Sequence, residues 1–205
     1  MQYFDKAIFW LSSGLLIPVM VAVAYFLVKA LMQVGQFYAQ YMARMRFNKR
    51  LTAWLAEADE PRIDELLESK SDQPALWLEA LGQLAKYRHS EAHRDKVITE
   101  FEIGCEKELD KSRTLSKMGP ILGLMGTLIP MGPALAGLAS GDIAEMSHHM
   151  QVAFNTTVVG LVIGCVGYLI LQTKQRWFAE DLNRLEFIND LLQEKVNNGI
   201  GGGQL

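Results

Sequence analysis

Ionisable side chains are missing from three long stretches of this 205-residue sequence. Residues 7–28, 118–141 and 150–173 contain no Asp, Glu, Lys, Arg or His. Each stretch exceeds the ~20 residues with which a helix crosses a bilayer, so the sequence predicts three transmembrane helices. Because only 50% of the residues are hydrophobic and 21% are charged, a sizeable part of the chain must also face water.

Cysteine is scarce as well, and neither sign of charge dominates. Cys105 and Cys165 show no pairing pattern, which argues against a disulfide framework and makes both of them reduced packing residues. A net charge of -3 argues against nucleic acid as a partner. The sequence has no phosphate-binding loop, no nucleophile–base arrangement and no metal-ligand cysteines. We therefore expect neither an enzyme nor a bound cofactor.

Basic residues flank the three stretches almost entirely on one side, and the other side has only Lys6. By the positive-inside rule, the side that carries them faces the cytoplasm. The segment between the second and third stretches, residues 140–149, has no Lys or Arg and carries Asp142 and Glu145 instead. The sequence thus predicts a protein of the cytoplasmic (inner) membrane, with its N-terminus outside and its C-terminus in the cytoplasm. The flanking bases are Lys29, Arg44, Arg46, Lys49, Arg50, Lys107, Lys111, Arg113, Lys117, Lys174 and Arg176.

These observations predict an all-α integral membrane protein with a cytoplasmic helical domain. The transmembrane helices are placed at 7–35, 118–139 and 150–173. An outer N-terminus (1–6) precedes them, and an outer loop (140–149) joins the second to the third. The cytoplasmic parts are a helical domain (36–117) and a C-terminal helix (174–198), followed by a flexible tail (199–205).

Apolar periodicity predicts helices throughout the cytoplasmic part. Pro61 and Pro74 suit first helical positions, and Asp72 is a candidate cap before the second of them. Two further stripes lead into the second apolar stretch and out of the third, so both transmembrane helices are expected to continue into water. The stripes are Leu76, Trp77, Leu81 and Leu84; Val97, Ile98, Phe101, Cys105 and Leu109; and Phe178, Leu182, Leu185, Ile188, Leu192 and Val196.

Small residues recur at helical spacing within the second and third stretches. Gly119, Gly123 and Thr127 lie four residues apart, with Gly126 beside them. In the third stretch the series is Ala153, Thr157, Gly160, Gly164 and Gly167. Helices in lipid associate where small residues allow their backbones to approach, so both stripes are expected to be packing surfaces, between subunits or against a partner.

Polar groups within these stretches require a further explanation. Pro130 cannot donate a hydrogen bond to the carbonyl of Gly126, which leaves an acceptor at membrane depth. Threonine hydroxyls often satisfy their own helix, and this explanation remains open for Thr127 and Thr157. The consecutive Asn155, Thr156 and Thr157 must face protein or a wetted path, because an amide is costly to expose to hydrocarbon.

Two motifs resemble those of the MotA/TolQ/ExbB proton-channel family. Residues 119–127, G-P-I-L-G-L-M-G-T, are similar to the family signature (A/G)-P-x-x-G-L-x-G-T. Residues 153–161, A-F-N-T-T-V-V-G-L, are similar to its A-L-x-x-T-x-x-G-L motif. The three-span layout resembles the TolQ/ExbB branch. Residues 126–130 read G-T-L-I-P where the family often has G-T-V-W-G, which indicates a divergent member.

The resemblance implies a homopentamer around a central pore. A dimeric, single-span partner of the ExbD/TolR/MotB type would sit in that pore and supply an ion-carrying aspartate. Thr127 and Thr157 match the pore-facing threonines of the family, and Asn155 and Thr156 could assist them. Protons are the expected ion, and sodium is an alternative. Independently, the apolar stretches hold no proton-carrying side chain of their own, so a carboxylate would have to come from elsewhere.

Other interpretations remain open from sequence alone. The protein could be a helical membrane scaffold, or a small transporter subunit that binds substrate between its helices. Asp142 and Glu145 could attract cations at the outer mouth of an oligomer. Glu145, His148 and His149 have metal-compatible spacing, but a solvated polar segment explains them better, and we expect no metal.

Overall fold

The protein is helical in every region that the structure describes. The computed structural model covers residues 14–57, 75–87 and 90–201, with side chains described for 14–45, 76–87 and 90–193. Within these ranges there are four helices and no strand, which confirms the all-α prediction. The helices are α1 (Leu16–Glu57), α2 (Ala75–Lys86), α3 (Glu91–Ser140) and α4 (Ile143–Gly201).

Three of these helices are long and apolar enough to cross a membrane, judged by length and composition. They are the segments Leu16–Met45 of α1, Glu91–Ser140 of α3 and Ile143–Gln193 of α4. Their best 18-residue windows have mean hydropathies of 1.9, 1.7 and 2.0. The chain divides into a first unit of Met1–Gly35 with Lys111–Gln172, and a second unit of Gln36–Asp110 with Thr173–Leu205.

Helix α3 is continuous across its 50 residues although it contains Pro120, Pro130 and Pro133. Each proline removes one helical hydrogen bond, but the rest of the backbone has no other partner in hydrocarbon and stays helical. Helix α4 is longer still, at 59 residues. The prediction that the second and third transmembrane helices continue as long helices is therefore confirmed.

The connection between α3 and α4 is shorter than the loop predicted at 140–149. Gly141 has a positive φ of 80°, and the N–H groups of Gly141 and Asp142 donate to the carbonyls of Leu138 and Gly137. This is the Schellman arrangement that ends a helix at a glycine. The side chain of Asp142 then accepts a hydrogen bond from the Glu145 N–H at 2.9 Å, so α4 begins at Ile143.

In the first unit, α1 packs against α3 and α4 through aliphatic side chains. The buried set is Val19, Val23, Ala30, Leu115, Leu122, Ile129 and Ile163. One polar contact accompanies it, because the Gln33 amide donates to the Ser112 hydroxyl at 2.8 Å. The outward faces of the same helices remain apolar and exposed, as expected for surfaces that meet lipid or other helices.

In the second unit, the predicted stripe of α2 forms the centre of the core. Trp77, Leu81 and Leu84 are fully buried against α3 and α4, and Cys105 lies in the same cluster as a free thiol. The stripes predicted on α3 and α4 supply Val97, Phe101, Leu185 and Ile188 to the same cluster, and Ala80 of α2 completes it. The helix predicted at Pro61 and the cap at Asp72 lie outside the described residues.

The C-terminal end differs from the sequence-based expectation. Helix α4 continues through Gly199 and Ile200 to Gly201, so the first part of the predicted flexible tail (199–205) is helical. The amphipathic pattern before it already holds the helix in place, and a helix once formed extends at little cost per residue.

Candidate functional site

The two glycine stripes of the first unit meet each other within one chain. An ideal Cβ built on Gly119 would lie 2.5 Å from the Gly164 nitrogen and 2.7 Å from the Gly160 oxygen. A Cβ on Gly160 would lie 2.6 Å from the Gly119 oxygen. Such distances leave no room for a side chain, so the backbones of α3 and α4 approach as closely as glycine allows.

This contact, which we call the glycine seam, runs along much of the membrane length of both helices. A Cβ on Gly164 would lie 2.6 Å from the Pro120 Cδ, and one on Gly126 would collide with the Thr156 methyl. At Gly123 the fit is looser, with 3.3 Å to the Gly160 Cα. Pro130, also predicted as a packing residue, is fully buried.

The seam changes the interpretation of the predicted packing surfaces. From sequence, the Gly119/Gly123 and Gly160/Gly164 stripes were expected to face another subunit or a partner helix. The Cβ positions of Gly119, Gly160 and Gly164 are instead filled by backbone or proline atoms of the same chain. These glycines hold α3 to α4, and any contact with another molecule must use different faces.

Thr157 lies at the exposed edge of the glycine seam, which we call the rim, and its hydroxyl has two acceptors within reach. Its Oγ1 lies 3.0 Å from the Ala153 carbonyl oxygen of its own helix and 3.4 Å from the Gly123 carbonyl oxygen across the seam. A hydroxyl has one proton, so it can donate fully to only one of these acceptors at a time. The side chain is half-buried.

Thr127 lies on the same rim, one helical turn from Gly123. Its hydroxyl donates to the Leu124 carbonyl at 2.7 Å, and the side chain is also half-buried. In an α-helix the N–H of Thr127 donates to the carbonyl of Gly123, which is the acceptor that Thr157 reaches across the seam. The two predicted threonines are therefore connected through one carbonyl group.

Thr156 and Asn155 lie elsewhere, although they adjoin Thr157 in sequence. Thr156 is 3% exposed, donates to the Val152 carbonyl at 2.7 Å and lies 3.5 Å from the Met20 sulfur of α1. Asn155 is exposed, and its amide has no hydrogen bond among the described residues. The structure thus links Thr157 to the α3 carbonyl one turn before Thr127, buries Thr156 against α1 and leaves Asn155 facing outward.

The chemistry available at this rim is that of neutral oxygen atoms. Hydroxyl oxygens can accept a hydrogen bond from a protonated group or coordinate a small cation. They do not take up a proton and carry it across the membrane. Between residues 118 and 141 and between 150 and 173 there is no Asp, Glu, Lys, Arg or His. Within the described part of the chain, no group of three or more His, Cys, Asp or Glu residues is arranged to hold a metal ion.

A comparison with protein families matches this architecture. The model of the MotA/TolQ/ExbB proton channel family aligns with residues 56–186, which is more than half of the chain. The chain belongs to this family. A search of curated proteins found no match.

Membership in the MotA/TolQ/ExbB family agrees with the architecture described above. The matched range contains α2, α3 and most of α4, and therefore both walls of the glycine seam and both motifs that resemble the family. Together with the three long apolar helices, the match makes the chain a multi-pass membrane protein of a proton channel family. Proteins of this family act in oligomeric complexes with partner proteins.

The predicted acidic residues of the outer segment have local roles in the structure. Asp142 caps α4 through the Glu145 N–H. The Glu145 carboxylate lies 3.8 Å from the His149 ring, one turn further along the helix. Both acids are exposed. The structure therefore accounts for Asp142 by helix capping, while cation attraction by either acid stays a prediction.

Sequence reasoning missed a buried ion pair in the second unit. The Arg44 guanidinium donates to both carboxylate oxygens of Asp181 at 2.7 Å and to the Trp177 carbonyl at 2.8 Å. Arg44 also lies over the Trp177 ring, on which Phe37 stacks with a centroid distance of 5.4 Å. A signal was present, because Asp181 falls three residues after Phe178 and four before Leu185, within the apolar face of α4.

Proposed function

We propose that this chain is the pore-forming subunit of an ion-driven motor in the cytoplasmic membrane. Several copies, five by resemblance to the family, would surround a pore lined by Thr127 and Thr157. Ion flow through that pore would be converted into mechanical work at the cell envelope. Protons are the expected ion, and sodium is the alternative that neutral oxygen ligands would also accept.

One observation carries this proposal: the Thr157 hydroxyl of α4 reaches the Gly123 carbonyl of α3, which is also the helical acceptor of the Thr127 N–H. The Thr157 hydroxyl can turn from the Ala153 carbonyl at 3.0 Å to the Gly123 carbonyl at 3.4 Å. Thr127 follows Gly123 by one helical turn, and its own hydroxyl donates to the Leu124 carbonyl at 2.7 Å. An ion or a protonated carboxyl passing the rim would meet both hydroxyls in succession.

The absence of a carboxylate from the spans implies a partner. A proton needs a titratable group to carry it past the neutral rim, and the three apolar stretches contain none. We infer a dimeric, single-span partner of the ExbD/TolR/MotB type, with an aspartate at membrane depth. Asn155 and Thr156 are assigned lesser roles than Thr127 and Thr157, because one faces outward and the other packs against α1.

The proposed setting is the inner membrane, with lipid around the outer helix faces. The N-terminus would lie outside, and α2 with the adjoining ends of α1, α3 and α4 would lie in the cytoplasm. This arrangement follows from the basic residues that flank the three apolar stretches. Asp142 and Glu145 would then be at the outer mouth, where they could raise the local cation concentration in an oligomer.

Thr127→Val and Thr157→Val test the proposal. Valine keeps the shape of threonine and removes the hydroxyl. We expect each variant to assemble normally and to lose at least about tenfold in ion flux, which corresponds to one lost hydrogen bond in a low-dielectric site. The measurement is proton flux into proteoliposomes, read with a pH-sensitive dye. The proteoliposomes contain this chain together with a single-span protein that carries a membrane aspartate and copurifies with it.

Thr156→Val is the matched control, because Thr156 has the same chemistry but is buried against α1. It should keep most of the flux. If all three variants conduct like the parent chain, the hydroxyls are packing groups and the assignment of Thr127 and Thr157 to the ion path is wrong. If the parent chain itself does not conduct, the scaffold interpretation replaces the motor. Saturable uptake of an organic solute without ion flux would instead favour the small transporter subunit.

A further inference from the structure

Within the second unit, α3 and α4 enclose an apolar groove, which we call the α3–α4 groove. Its cavity volume is about 250 Å³, and every residue that lines it belongs to one of these two helices. The lining extends along α3 from Phe101 to Leu109, so the groove is about 12 Å, or two helical turns, long. Its apolar walls are formed by Phe101, Cys105 and Leu109 of α3 and by Phe178, Ala179 and Leu182 of α4.

The groove stays open because α2 covers only the adjoining part of the core. Where Trp77 of α2 packs, Leu185 and Ile188 of α4 are almost completely buried. Leu182 and Phe178, about one and two turns earlier on α4, are only half-buried. No residue of α2 lines the groove. The apolar stripe of α4 is therefore left partly uncovered over these two turns.

The dimensions of the groove suit the side chains of a helical segment. Sites that enclose a small molecule usually have volumes of roughly 300–1,000 Å³ and surround most of the ligand. The α3–α4 groove is smaller and open on one side. An amphipathic helix binds such a groove through apolar residues at positions i, i+3 or i+4, and i+7, which span about two turns. The length of the groove matches that span.

Carboxylates give the groove a negative edge. Glu102 and Glu106 line it on the α3 side, one turn apart, and both are exposed. Asp110, one turn beyond Glu106, continues the exposed acidic row. Gln175 is the polar lining residue on α4, and neither Lys nor Arg lines the groove. A segment that fills it should therefore carry Lys or Arg beside its apolar residues.

The position of the groove indicates where such a segment would come from. Gln175 follows the apolar stretch 150–173 by two residues, a rise of about 3 Å along a helix. An occupant of the groove must therefore lie near the membrane surface. Residues that flank a transmembrane helix on the cytoplasmic side are enriched in Lys and Arg. The cytoplasmic flank of a single-span partner thus has both the position and the charge that the groove requires.

Two other occupants match the charge of the groove less well. Residues 58–74 of this chain, which precede α2, include six acidic and two basic residues. The lipids of a cytoplasmic membrane surface carry a net negative charge. A carboxylate edge is unfavourable beside either of them, because like charges then face each other.

We propose that the α3–α4 groove binds the basic segment that flanks the span of the single-span partner. Apolar side chains of that segment would fill the space between Phe101 and Phe178, and its Lys or Arg residues would pair with Glu102 and Glu106. The inference rests on the proposed function, from which it takes the partner. It adds a contact outside the hydrocarbon that depends on charge, so salt should weaken it.

Photocrosslinking in the copurified complex of this chain and the single-span protein tests the contact. In a Cys165→Ala background, Ala179→Cys is labelled with a benzophenone maleimide, because Ala179 is exposed and lines the groove. The remaining Cys105 is buried and should stay unlabelled. After illumination, mass spectrometry identifies the crosslinked peptide. We expect it within about 20 residues of the partner's apolar stretch, on the side rich in Lys and Arg.

The matched control is Ile103→Cys, because Ile103 is 50% exposed on α3 and does not line the groove. An adduct in the partner's basic flank, with a much lower yield from the control, supports the proposal. Equal yields from the two positions overturn it, and so does the absence of an adduct. Adducts in the partner's span, in a second copy, in lipid or in residues 46–74 of this chain overturn it as well.

The same experiment separates this inference from the proposed function. If no single-span protein copurifies, the inferred partner and the groove contact fail together. If the complex forms and conducts protons while the adducts lie elsewhere, only the groove contact fails.

Glu102→Gln combined with Glu106→Gln tests the negative edge. In the Ala179→Cys protein this pair of substitutions should lower the adduct yield about threefold or more, because two exposed ion pairs are lost. Raising the salt to about 1 M should have a similar effect. The control combines Glu186→Gln with Asp190→Asn, two exposed acids of α4 that do not line the groove, and should keep most of the yield. An unchanged yield in the Glu102/Glu106 variant, or an equal loss in the control, would contradict recognition by this edge.

Discussion

Three consecutive polar residues of α4 show how strongly one helical step changes the surroundings of a side chain. Thr157 reaches across the glycine seam, Thr156 is buried beside Met20 of α1, and Asn155 faces outward without a partner. Successive residues differ by about 100° around a helix, so neighbours in sequence face different helices or the outside of the protein. In sequence these residues form a single polar group, and only the packing of α1 and α3 separates them.

The buried ion pair of the second unit gives a prediction at the same scale. Arg44→Met should lower the free energy of unfolding by about 3 kcal/mol, because the Asp181 carboxyl is left in a buried site without its bidentate partner. Arg184, 3.7 Å from Asp181, compensates only in part. The measurement is thermal unfolding of the purified protein, followed by circular dichroism.

Two further variants show whether pairing is the cause. Arg44→Met with Asp181→Leu should recover much of the loss, since the buried carboxyl that lost its partner is removed as well. Lys96→Met removes a pair that is 3.5 Å apart and exposed on both sides, and should change stability by less than about 1 kcal/mol. A loss as large in Lys96→Met, or no recovery in the double variant, would contradict this account of Arg44.

At the scale of elements, α3 and α4 are joined at both the turn and the seam. The Schellman turn at Gly141 reverses the chain within two residues, and the glycines then hold the helices together along the span. In lipid this contact gains little from the hydrophobic effect, so close backbone packing supplies most of it. The fit of these glycines therefore determines the stability of the pair.

Gly119→Ala tests the seam. Its methyl would lie 2.5 Å from the Gly164 nitrogen, a backbone atom that cannot turn aside. The helices must separate, and we expect a loss of about 1–3 kcal/mol, measured as a lower unfolding temperature. Gly35→Ala is the control, because nothing lies within 4 Å of its added Cβ. Alanine there should be neutral or stabilising by about 0.5–1 kcal/mol. Equal losses from both substitutions would mean that helix propensity, not the seam, dominates.

Much of the element structure could be predicted from sequence because it depends on local periodicity. The stripe of Trp77, Leu81 and Leu84 is buried as its spacing indicates, and α3 continues from water-facing residues into its apolar stretch as predicted. The partner of each stripe was not predictable in the same way. Nothing local to Gly119 or Gly160 indicates that these residues meet in one chain, and nothing local to Arg44 indicates Asp181. Such pairings depend on the tertiary fold and not on the local sequence.

At the scale of the whole molecule, membership in a proton channel family and three span-length helices make orientation the next quantity to measure. The basic flanks predict that the α3–α4 turn is outside and that the distal part of α4 is cytoplasmic. In a Cys165→Ala background, Ser147→Cys should react with a membrane-impermeant maleimide in right-side-out vesicles. Glu186→Cys should react only after the vesicles are opened. Both positions are exposed, so accessibility depends on the side of the membrane.

The background protein is the control for labelling, since its remaining Cys105 is buried and should stay unmodified. Labelling of Glu186→Cys in sealed vesicles, with Ser147→Cys protected, would reverse the orientation. Labelling of both in sealed vesicles would mean that α4 does not cross the bilayer as a single span.

The closeness of the glycine seam has an electrical consequence. Where an added Cβ would lie within 2.7 Å of backbone atoms across Gly119 and Gly160, there is no space for a water molecule or a hydrated ion. The seam is therefore closed to ions, and no conducting path can run between α3 and α4 of one copy where these glycines meet. Under the proposed function, current would then pass along the outer rim at Thr127 and Thr157, so an isolated chain would be sealed and would conduct only when other chains enclose that rim.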